Sequence, residues 1–468
     1  MKEKMVKIFI ALLIYILIFS SLPFIKQKSV DENYKKNFDI GKFYQDDGSI
    51  AYAQVIRDNE NSSIEKIRAI DNAKDKIMIG NYRFLMDQEG KKYMASLVAA
   101  AQRGVEIYII LDGNTLFMNA FKNDYYLALE SFPNVHIKIY NPMNPLKPWL
   151  LMGRMHDKYM IVDDKIGFVG GRNIEKRFLQ NKGKISYDWD ILVYFEKRSQ
   201  KDGLGELIAY FKNIYQNGQR NKDVKDAAIF TSSRKSRELI SELEKIYRND
   251  KSFNPDNYKQ VDYKKTLTRV GKVSLITNPI DVYSKQPLAF YQISELMKNS
   301  KSKVIIHTPY FIGNELMFES LKTIASNNPT TLFTNSPATG VNLVGVGEYL
   351  IHYQKLIDTK ANILENEKPH SYHGKAFTID DNLAAIGSFN WDMRSVYIDT
   401  ELMLVVEGED FYKEVEKELN YYQKDASKVL EDGGKENLSG KEVSKINFLK
   451  KLGSIIFIIL FYPFRFLF

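Results

Sequence analysis

Residues 156–173 read HDKYMIVDDKIGFVGGRN, and residues 373–390 read HGKAFTIDDNLAAIGSFN. Each stretch begins with His-x-Lys, places an Asp five residues after the Lys, and closes with two small residues and an Asn. The matching positions are His156 and His373, Lys158 and Lys375, Asp163 and Asp380, Gly170-Gly171 and Gly387-Ser388, and Asn173 and Asn390. Because the spacing is the same in both copies, the repeat predicts one site with two histidines, to which each half of the chain contributes one imidazole.

Length and composition allow two domains and suggest an anionic partner. The chain has 468 residues, of which 44% are hydrophobic, and this is enough for two domains or one duplicated fold. The net charge of +8 favours either nucleic acid or an acidic membrane surface as the partner. The absence of Cys excludes disulfides, thiolate metal sites and a cysteine nucleophile. With six His and no His-Glu-x-x-His pattern, we expect neither a metal nor another cofactor.

Both ends of the chain are apolar. Ile8 to Ile25 is uncharged and follows three lysines, so residues 1–29 are predicted to form a retained membrane anchor, with a cleaved signal peptide as the alternative. Leu452 to Phe464 is shorter and lies between basic residues, which predicts that residues 452–468 contact the membrane interface. A core helix is the alternative for this second stretch. The polar residues 431–451 before it are expected to form a tether.

Helical and strand-like stretches alternate before the first motif, which is typical of an α/β fold. A Ser-Ser-Ile-Glu sequence at residues 62–65 predicts a capping box at the start of the first helix. We predict a helix, a strand, a helix and a strand in the order Ile64–Lys74, Lys76–Ile79, Gly90–Gln102 and Val105–Leu111. Since each helix connects two apolar strands, the sheet is expected to be largely parallel.

The second half repeats this order before the second motif. Its predicted elements are Ile293–Asn299, Val304–His307, Glu315–Ala325, Thr331–Thr334 and a long helix Val344–Thr359. An internal repeat of this size predicts two similar units related by a pseudo-twofold axis. We place the first unit at residues 50–230 and the second at residues 273–430, joined by a polar linker at residues 231–272.

The histidines and lysines of the motif fit phosphodiester transfer. On a strand, His156 and Lys158 project to the same face, and so do His373 and Lys375. One neutral imidazole would attack phosphorus and form a phosphohistidine. The other would protonate the departing alkoxide and then deprotonate the incoming hydroxyl. The lysines would hold the charged oxygens. These residues do not distinguish which histidine takes which role.

The other motif residues suggest supporting tasks. Asp163 and Asp380 have the opposite parity and lie in Asp-Asp-Lys and Asp-Asp-Asn turns, so we expect them to be structural carboxylates. The Gly-Gly and Gly-Ser pairs are expected to let the backbone approach a ligand closely. Asn173 and Asn390 are then placed to donate hydrogen bonds to a phosphoryl oxygen.

The complete duplicated motif resembles that of the phospholipase D superfamily, and the resemblance spans roughly residues 50–425. It implies two α/β/α repeats packed as a pseudo-twofold pair around one shared active site without a metal. Members of the family also place an acid after each motif, which orients the opposite histidine. Glu401 matches this position in the second repeat, and Asp188 matches it in the first, with Asp190 as an alternative of the same facing. Such an acid would fix the imidazole tautomer and strengthen its basicity.

Several stretches are similar to bacterial cardiolipin synthases of the short type: Arg154-Met155-His156, Gly170–Ile174, Thr308–Phe311, Thr334–Ser336 and Gly387–Ser395. The resemblance implies that phosphatidylglycerol loses glycerol and leaves a phosphatidyl-histidine, which the hydroxyl of a second phosphatidylglycerol then attacks to give cardiolipin. By family habit, His156 would be the nucleophile and His373 the acid and base. The segment Asn141–Gly153 before the first motif is shorter than in that family. Since this segment would shape the acceptor pocket, the resemblance does not identify the acceptor lipid.

Two other functions remain as alternatives. A hydrolase of the same superfamily would share the motif and act on lipid or, less favourably, on nucleic acid, although the apolar ends speak against nucleic acid. A non-catalytic lipid-binding protein would predict a damaged motif, and both copies are intact. We therefore expect anionic phospholipids as partners, no nucleic acid, and a location at the bacterial cell membrane, anchored by the N-terminal helix.

Overall fold

The first half of the chain forms one large mixed sheet in the computed structural model, which describes residues 2–119, 122–217, 220–227 and 232–468. The strands of this half are β1 (Ile50–Ile56), β2 (Lys76–Asn81), β3 (Glu106–Asp112), β4 (Val135–Tyr140), β5 (Lys158–Val162), β6 (Ile166–Gly170), β7 (Ser186–Tyr187), β8 (Asp190–Lys197), β9 (Lys222–Asp223) and β10 (Thr268–Val270), and all of them except β7 belong to the large sheet. Its helices are α1 (Lys2–Ser21), α2 (Glu32–Asn37), α3 (Asn59–Asn72), α4 (Gln88–Gln102), α5 (Gly113–Met118), α6 (Asp124–Glu130), α7 (Lys176–Leu179), α8 (Gly203–Asn217), α9 (Val224–Ala227), α10 (Ser233–Phe253) and α11 (Tyr263–Thr266).

The second half forms a second large sheet with its own helices. The strands of this half are β11 (Lys272–Thr277), β12 (Val304–His307), β13 (Phe311–Ile312), β14 (Thr330–Asn335), β15 (Asn362–Asn366), β16 (Ser371–Tyr372), β17 (Ala376–Ile379), β18 (Leu383–Gly387), β19 (Trp391–Asp392), β20 (Leu402–Glu407), β21 (Ser427–Val429) and β22 (Lys435–Asn437), and all of them except β13, β16 and β19 belong to the large sheet. Its helices are α12 (Leu288–Lys298), α13 (Glu315–Asn327), α14 (Leu343–Ile351), α15 (Tyr353–Ile357), α16 (Met393–Tyr397), α17 (Glu409–Gln423) and α18 (Phe448–Phe461).

The two large sheets have matching strand orders and directions. The first runs β10-β1-β8-β6-β5-β2-β3-β4-β9, and the second runs β11-β20-β18-β17-β12-β14-β15-β21-β22. In each sheet three neighbouring strands are parallel, and the motif strands beside them are antiparallel. The two repeated α/β units predicted from the sequence are therefore present, whereas the expectation of a largely parallel sheet is wrong.

The Asp-Asp turns explain why the sheets are mixed. Asp163 and Asp164 have φ of 52° and 53°, and Asp380 and Asp381 have φ of 56° and 61°. This left-handed backbone suits Asp and forms tight hairpin turns. Since a tight hairpin joins only antiparallel strands, each motif contributes an antiparallel pair, β5–β6 and β17–β18, to its sheet.

The two repeats pack on each other with pseudo-twofold symmetry. One buried cluster contains Val169 and Ile191 from the first sheet and Ile386 and Leu404 from the second. Two short backbone pairings also cross between the repeats. Met155 pairs with Thr400, and β7 pairs with β16 through Tyr187 and Tyr372. Each pairing joins the residue before a motif histidine to the residue before an acid of the other repeat, which is Glu401 or Asp188.

Two predicted helix boundaries differ from the structure. Helix α3 starts before the predicted capping box, because the side chain of Asp58 accepts a hydrogen bond from the Asn61 amide and caps the helix one turn earlier. Ser62 therefore lies inside the helix, where its hydroxyl bonds to Asp190. The long helix predicted for residues 344–359 is interrupted at His352, between α14 and α15.

The segment predicted as a linker contains regular structure. Helix α10 buries Leu239 and Leu243 in the core of the first repeat, together with residues of α4 and α6. Farther along, β10 pairs with β1 at the edge of the first sheet. This part of residues 231–272 therefore adds to the first repeat, and the predicted domain boundaries remain a prediction.

Both apolar ends of the chain return to the second repeat. Among the described residues one helix, Lys4–Phe24, is long and apolar enough to cross a membrane by length and composition. At its end Phe24 is buried in the second repeat, and beyond it the Lys26 carbonyl accepts a hydrogen bond from Ser284. At the other end, α18 lies against α14, and Arg465 forms an ion pair with Glu348 at 2.8 Å. Membrane contact by the C-terminal segment remains a prediction.

Candidate active site

Both motif histidines line one cavity of about 370 Å³ at the junction of the two repeats. His156 lies just before β5, and its amide donates to the Thr400 carbonyl at 3.2 Å. His373 lies between β16 and β17, and its amide donates to the Tyr187 carbonyl at 2.7 Å. Neither histidine lies within a strand, so the expected strand alternation is replaced by pairing with the opposite repeat. The result brings imidazoles from distant parts of the chain to one cavity.

Each histidine is held by a carboxylate from the other repeat. The Nδ1 atom of His156 lies 2.8 Å from Oε1 of Glu401, and the Nδ1 atom of His373 lies 2.6 Å from Oδ2 of Asp188. Both carboxylates are fully buried. The cross-repeat pairings cause this arrangement, because Glu401 follows Thr400 and Asp188 follows Tyr187. An imidazole that donates from Nδ1 presents Nε2 as its free nitrogen.

Asp188 and Asp190 have different surroundings. Asp188 contacts His373, whereas Asp190 forms buried ion pairs with Arg172 at 3.0 Å and with Lys66 at 2.8 Å. The alternation that made the two acids equivalent in the sequence fails because Asp188 precedes β8 and Asp190 begins it. The geometry therefore favours Asp188 as the partner of the histidine.

The two motif lysines lie beside the histidines in a buried setting. Each ammonium donates to the backbone carbonyl of the histidine two residues earlier in the motif. Burial lowers the pKa of Lys158 to about 7 and that of Lys375 to about 8. A bound anion would favour the charged ammonium forms and raise both pKa values.

Burial also sets the protonation of the histidines and acids. Burial, and then the charge of Lys158, lower the pKa of His156 well below its ordinary value. Burial and Lys375 lower the pKa of His373 to about 3. Burial raises the pKa of Glu401 to about 7. Burial alone would also raise the pKa of Asp188, but Lys375 and His373 hold it below its ordinary value. At neutral pH these shifts favour the neutral form of both imidazoles.

The motif asparagines line the same cavity. Asn173 and Asn390 are buried, and the side-chain oxygen of each has no hydrogen-bond partner among the described residues. The Asn173 amide nitrogen lies 3.5 Å from Glu175. An unpartnered amide oxygen would accept a hydrogen bond from a donor such as a ligand hydroxyl, whereas contact with a phosphoryl oxygen would need the amide nitrogens to donate. Their contact with a phosphoryl oxygen remains a prediction.

The small-residue pairs give room to the acid-bearing strands. A Cβ atom on Gly171 would lie 2.3 Å from the Asp188 side chain, and one on Gly387 would lie 2.1 Å from the Leu402 carbonyl. Gly170 is similarly close to Asp190, and Ser388 donates through its hydroxyl to Glu401. We expected the small side chains to let a ligand approach the backbone. In the structure they let the segment that carries the acid of the same repeat pack closely against it.

Asp163 and Asp380 lie in the hairpin turns away from the cavity. The carboxylate of Asp163 accepts hydrogen bonds from the amides of three consecutive residues, Lys74, Asp75 and Lys76, at 2.8–3.0 Å. Asp380 accepts equivalent bonds from Lys301, Ser302 and Lys303 at 2.7–3.3 Å. Each carboxylate thus ties its turn to the start of the neighbouring strand.

Removal of the Asp163 carboxylate should therefore lower the stability of the fold and leave the catalytic activity of the folded protein unchanged. We expect Asp163→Ala to lower the free energy of unfolding by about 2 kcal/mol, because three amides lose a charged acceptor that is only partly buried. Asp163→Asn should lower it less, since Asn keeps an oxygen acceptor and tolerates the left-handed backbone. Chemical denaturation of the detergent-solubilised chain checks both values. Turnover per folded molecule that fell more than a few-fold would contradict the structural role.

The cavity contains groups that the motif alone did not reveal. The ring of Tyr82 lies 5.0 Å from that of His156, and the ring of Phe178 lies 4.9 Å from that of His373. Both aromatic residues form cavity walls. Ser395 donates to Glu401 at 2.6 Å. Phe178 and Ser395 each lie five residues after a motif Asn, but they differ in residue type, and Tyr82 lies far before the first motif, so the matched spacing gave no signal for them.

A second set of cavity residues did leave a signal in the sequence. Each motif Asn is followed by an acid two residues later and by an Arg four residues later. These are Glu175 and Arg177 in the first repeat and Asp392 and Arg394 in the second, and all four line the cavity. The duplicated spacing could have identified them.

Comparisons with known proteins agree with this architecture. The family model described as "Cardiolipin synthase, PLD-like domain" matches residues 67–215 and 293–422. An uncharacterized protein of Helicobacter pylori is 25% identical, with 78% of this chain and 80% of that protein covered. The minor cardiolipin synthase ClsB of Bacillus subtilis is 25% identical, with 70% of each chain covered.

A solved structure shows the same fold. The crystal structure of phosphatidylserine synthase from Haemophilus influenzae matches with a TM-score of 0.64 at 15% sequence identity. The match covers 90% of this chain and 98% of that chain. The similarity thus extends over both repeats.

Proposed function

The chain belongs to the family described as cardiolipin synthase, PLD-like domain, and from this premise we propose that it is a membrane-bound phosphatidyltransferase that makes cardiolipin from phosphatidylglycerol. The observation that carries the proposal is the pair of imidazoles in one cavity, each held at Nδ1 by a buried carboxylate of the opposite repeat. The relative from Bacillus subtilis, a cardiolipin synthase by name, supports the choice of reaction.

The first half of the reaction releases glycerol. Nε2 of His156 attacks the phosphorus of phosphatidylglycerol, and a P–N bond forms as the bond from phosphorus to the glycerol oxygen breaks. Protonated His373 gives its proton to the departing oxygen. Although burial lowers the pKa of His373 to about 3, a bound phosphodiester anion favours the imidazolium form and raises that pKa.

The second half transfers the phosphatidyl group. Neutral His373 takes the proton from a hydroxyl of a second phosphatidylglycerol, whose oxygen then bonds to phosphorus while the P–N bond breaks. Lys158 and Lys375 stabilise the charge that develops on the phosphoryl oxygens, and Asn173 and Asn390 donate further hydrogen bonds. Water would compete at this step, so exclusion of water from the cavity decides between transfer and hydrolysis.

The cavity and the chain ends support lipid substrates. A volume of about 370 Å³ is near the lower end for small-molecule sites, so it suits polar head groups and leaves acyl chains outside. The helix Lys4–Phe24 would anchor the chain at the cell membrane. We propose that α18 adds interfacial contact, because Ile459 and Leu460 on its outer face are 63% and 68% exposed.

The test is product analysis with the purified full-length chain and phosphatidylglycerol in detergent micelles. The proposal predicts cardiolipin and glycerol in equal amounts, with phosphatidic acid as a minor product. Mostly phosphatidic acid would instead indicate a phospholipase D-type hydrolase. No turnover of the lipid would contradict both enzymatic functions.

The lysine pKa values predict an alkaline limit to activity. The ammonium forms are needed for charge stabilisation and exist below their pKa, so kcat/KM should fall as pH rises above about 7, the lower of the two lysine pKa values. Arg does not lose its proton in this range, so Lys158→Arg should move the alkaline limb to higher pH, whatever its maximal rate. Glycerol release measured from pH 5 to 10 checks this. An unshifted limb in both Lys158→Arg and Lys375→Arg would argue against the lysines.

A further inference from the structure

Two arginines at matched positions of the repeats have different surroundings. Arg177 lies in α7 and Arg394 in α16, each four residues after a motif Asn. Both line the cavity. Because the two arginines hold equivalent positions in the repeats, their hydrogen-bond partners can be compared directly. The comparison indicates which guanidinium is left to bind a ligand.

The guanidinium of Arg394 is occupied by the protein. It contacts Asp399 through two nitrogens at 3.0 and 3.2 Å. Its remaining contacts include the Met152 carbonyl at 2.8 Å and the Leu467 carbonyl at 3.1 Å. Its charge is therefore balanced by Asp399, and most of its donors are used. Arg394 holds the C-terminal segment and the wall of the cavity together.

The guanidinium of Arg177 is available to a ligand. Its Nε donates to Ser186 at 2.7 Å, and among the described residues no carboxylate lies within ion-pair distance of its other nitrogens. Nearby, Arg83 is 3.6 Å from Glu175, and its buried Nε has no partner in the described part of the chain. Glu175 is thus the counter-charge near both Arg177 and Arg83. One carboxylate balances only one guanidinium, so these three cavity residues carry one excess positive charge.

We propose that Arg177 and Arg83 form a subsite for a second phosphodiester group, that of the acceptor lipid. The inference rests on the proposed function and specifies its acceptor. The donor phosphorus must lie between the two histidines, where Lys158 and Lys375 balance the negative charge of its oxygens. Phosphatidylglycerol has a single phosphate, so a second cationic position has no partner in the donor. One excess positive charge matches one phosphodiester anion.

The position of the subsite fits an acceptor. Arg177 is adjacent to Phe178, whose ring lies 4.9 Å from His373. In the proposed mechanism His373 deprotonates the incoming hydroxyl, so the acceptor must reach phosphorus from that side. A lipid bound by its phosphate at Arg177 and Arg83 would present its glycerol hydroxyl towards His373. An uncharged alcohol would reach the same place without using the subsite.

A competition between two acceptors tests the subsite. The full-length chain is incubated with phosphatidylglycerol micelles and ethanol, and cardiolipin and phosphatidylethanol are measured in the same tube. Because both products arise from one phosphatidyl-enzyme, their ratio reports acceptor choice alone. We expect Arg177→Leu and Arg83→Leu each to lower the cardiolipin-to-phosphatidylethanol ratio at least tenfold, since each loses charge-assisted hydrogen bonds to the acceptor. Arg177→Lys keeps the charge and should lower the ratio less.

The control is Arg234→Leu, which removes a side chain that is 86% exposed on α10 and should leave the ratio unchanged. A ratio within twofold of the unaltered protein in both Arg177→Leu and Arg83→Leu would overturn the inference. So would equal losses of both products at a constant ratio, which would indicate a structural or donor-binding role. Glycerol release by the unaltered protein tests the proposed function separately, so the two failures are distinguishable.

Discussion

Replacement of His156 or His373 with Ala is expected to reduce cardiolipin formation by about 10⁴-fold or more, because each imidazole carries a separate bond-making or proton-transfer step. Both side chains face the cavity and are 14% and 23% exposed, so removing them should leave the fold intact. Cardiolipin release by the two variants, with unfolding curves alongside, checks the expectation. Activity within a few-fold of the unaltered protein in either variant would contradict the mechanism.

A substrate with an activated leaving group should separate the two roles. If His373 is the acid, His373→Ala should regain much of its first-step rate with a phosphatidyl p-nitrophenol ester, because that leaving group needs no proton. His156→Ala should not be rescued, since it lacks the nucleophile. The opposite pattern would exchange the two roles. His136→Ala is the matched control, because His136 is 44% exposed outside the cavity and should be dispensable.

Asp188→Asn is expected to lower kcat by about 10²-fold or more, and to lower the free energy of unfolding less than Asp190→Asn does, because Lys375 beside it can lose its proton at a pKa of about 8. Asn preserves the shape of the side chain but loses the negative charge that stabilises protonated His373. Its amide oxygen also accepts a weaker hydrogen bond from the Nδ1–H group, so the correct tautomer is less favoured. Steady-state kinetics with phosphatidylglycerol measures the loss. A kcat within threefold of the unaltered protein would show that Asp188 does not act through His373.

Asp190→Asn is the matched control and should have the opposite effect. Removal of this charge leaves Arg172 and Lys66 buried without their carboxylate, so we expect the free energy of unfolding to fall by about 3–5 kcal/mol. The molecules that remain folded should turn over at close to the normal rate. If the two variants exchanged these effects, the assignment of the acid would be wrong.

The repeated sequence predicted the parts of the site that depend on matched spacing. His156 and His373 are matched in the sequence, and they line one cavity in the structure. Two of the three parallel strands before each motif were also predicted, with small errors at their ends. The Asp-Asp turns were recognised, but not their consequence. A left-handed backbone at Asp163 and Asp380 makes tight hairpins, and each hairpin contributes one antiparallel pair to its sheet.

The remaining features depend on contacts between distant residues. Asp188 and Asp190 have the same parity in sequence, and only the pairing of Tyr187 with Tyr372 decides which acid meets His373. Tyr82 and Phe178 become cavity walls through packing between the repeats, for which neither local propensity nor periodicity gives a signal. The linker prediction relied on polar composition, whereas α10 buries only a narrow apolar stripe.

The central claim is that two imidazoles of one chain act on one phosphorus atom. It is tested most directly by denaturing the enzyme in alkali during turnover of phosphatidylglycerol labelled at phosphorus, followed by peptide mapping at alkaline pH, where a P–N bond is stable. The account predicts acid-labile label on a single histidine, that of the peptide containing His156, with at most one label per chain. Labelling of His156 and His373 in the same molecule, or of a residue other than these histidines, would contradict it.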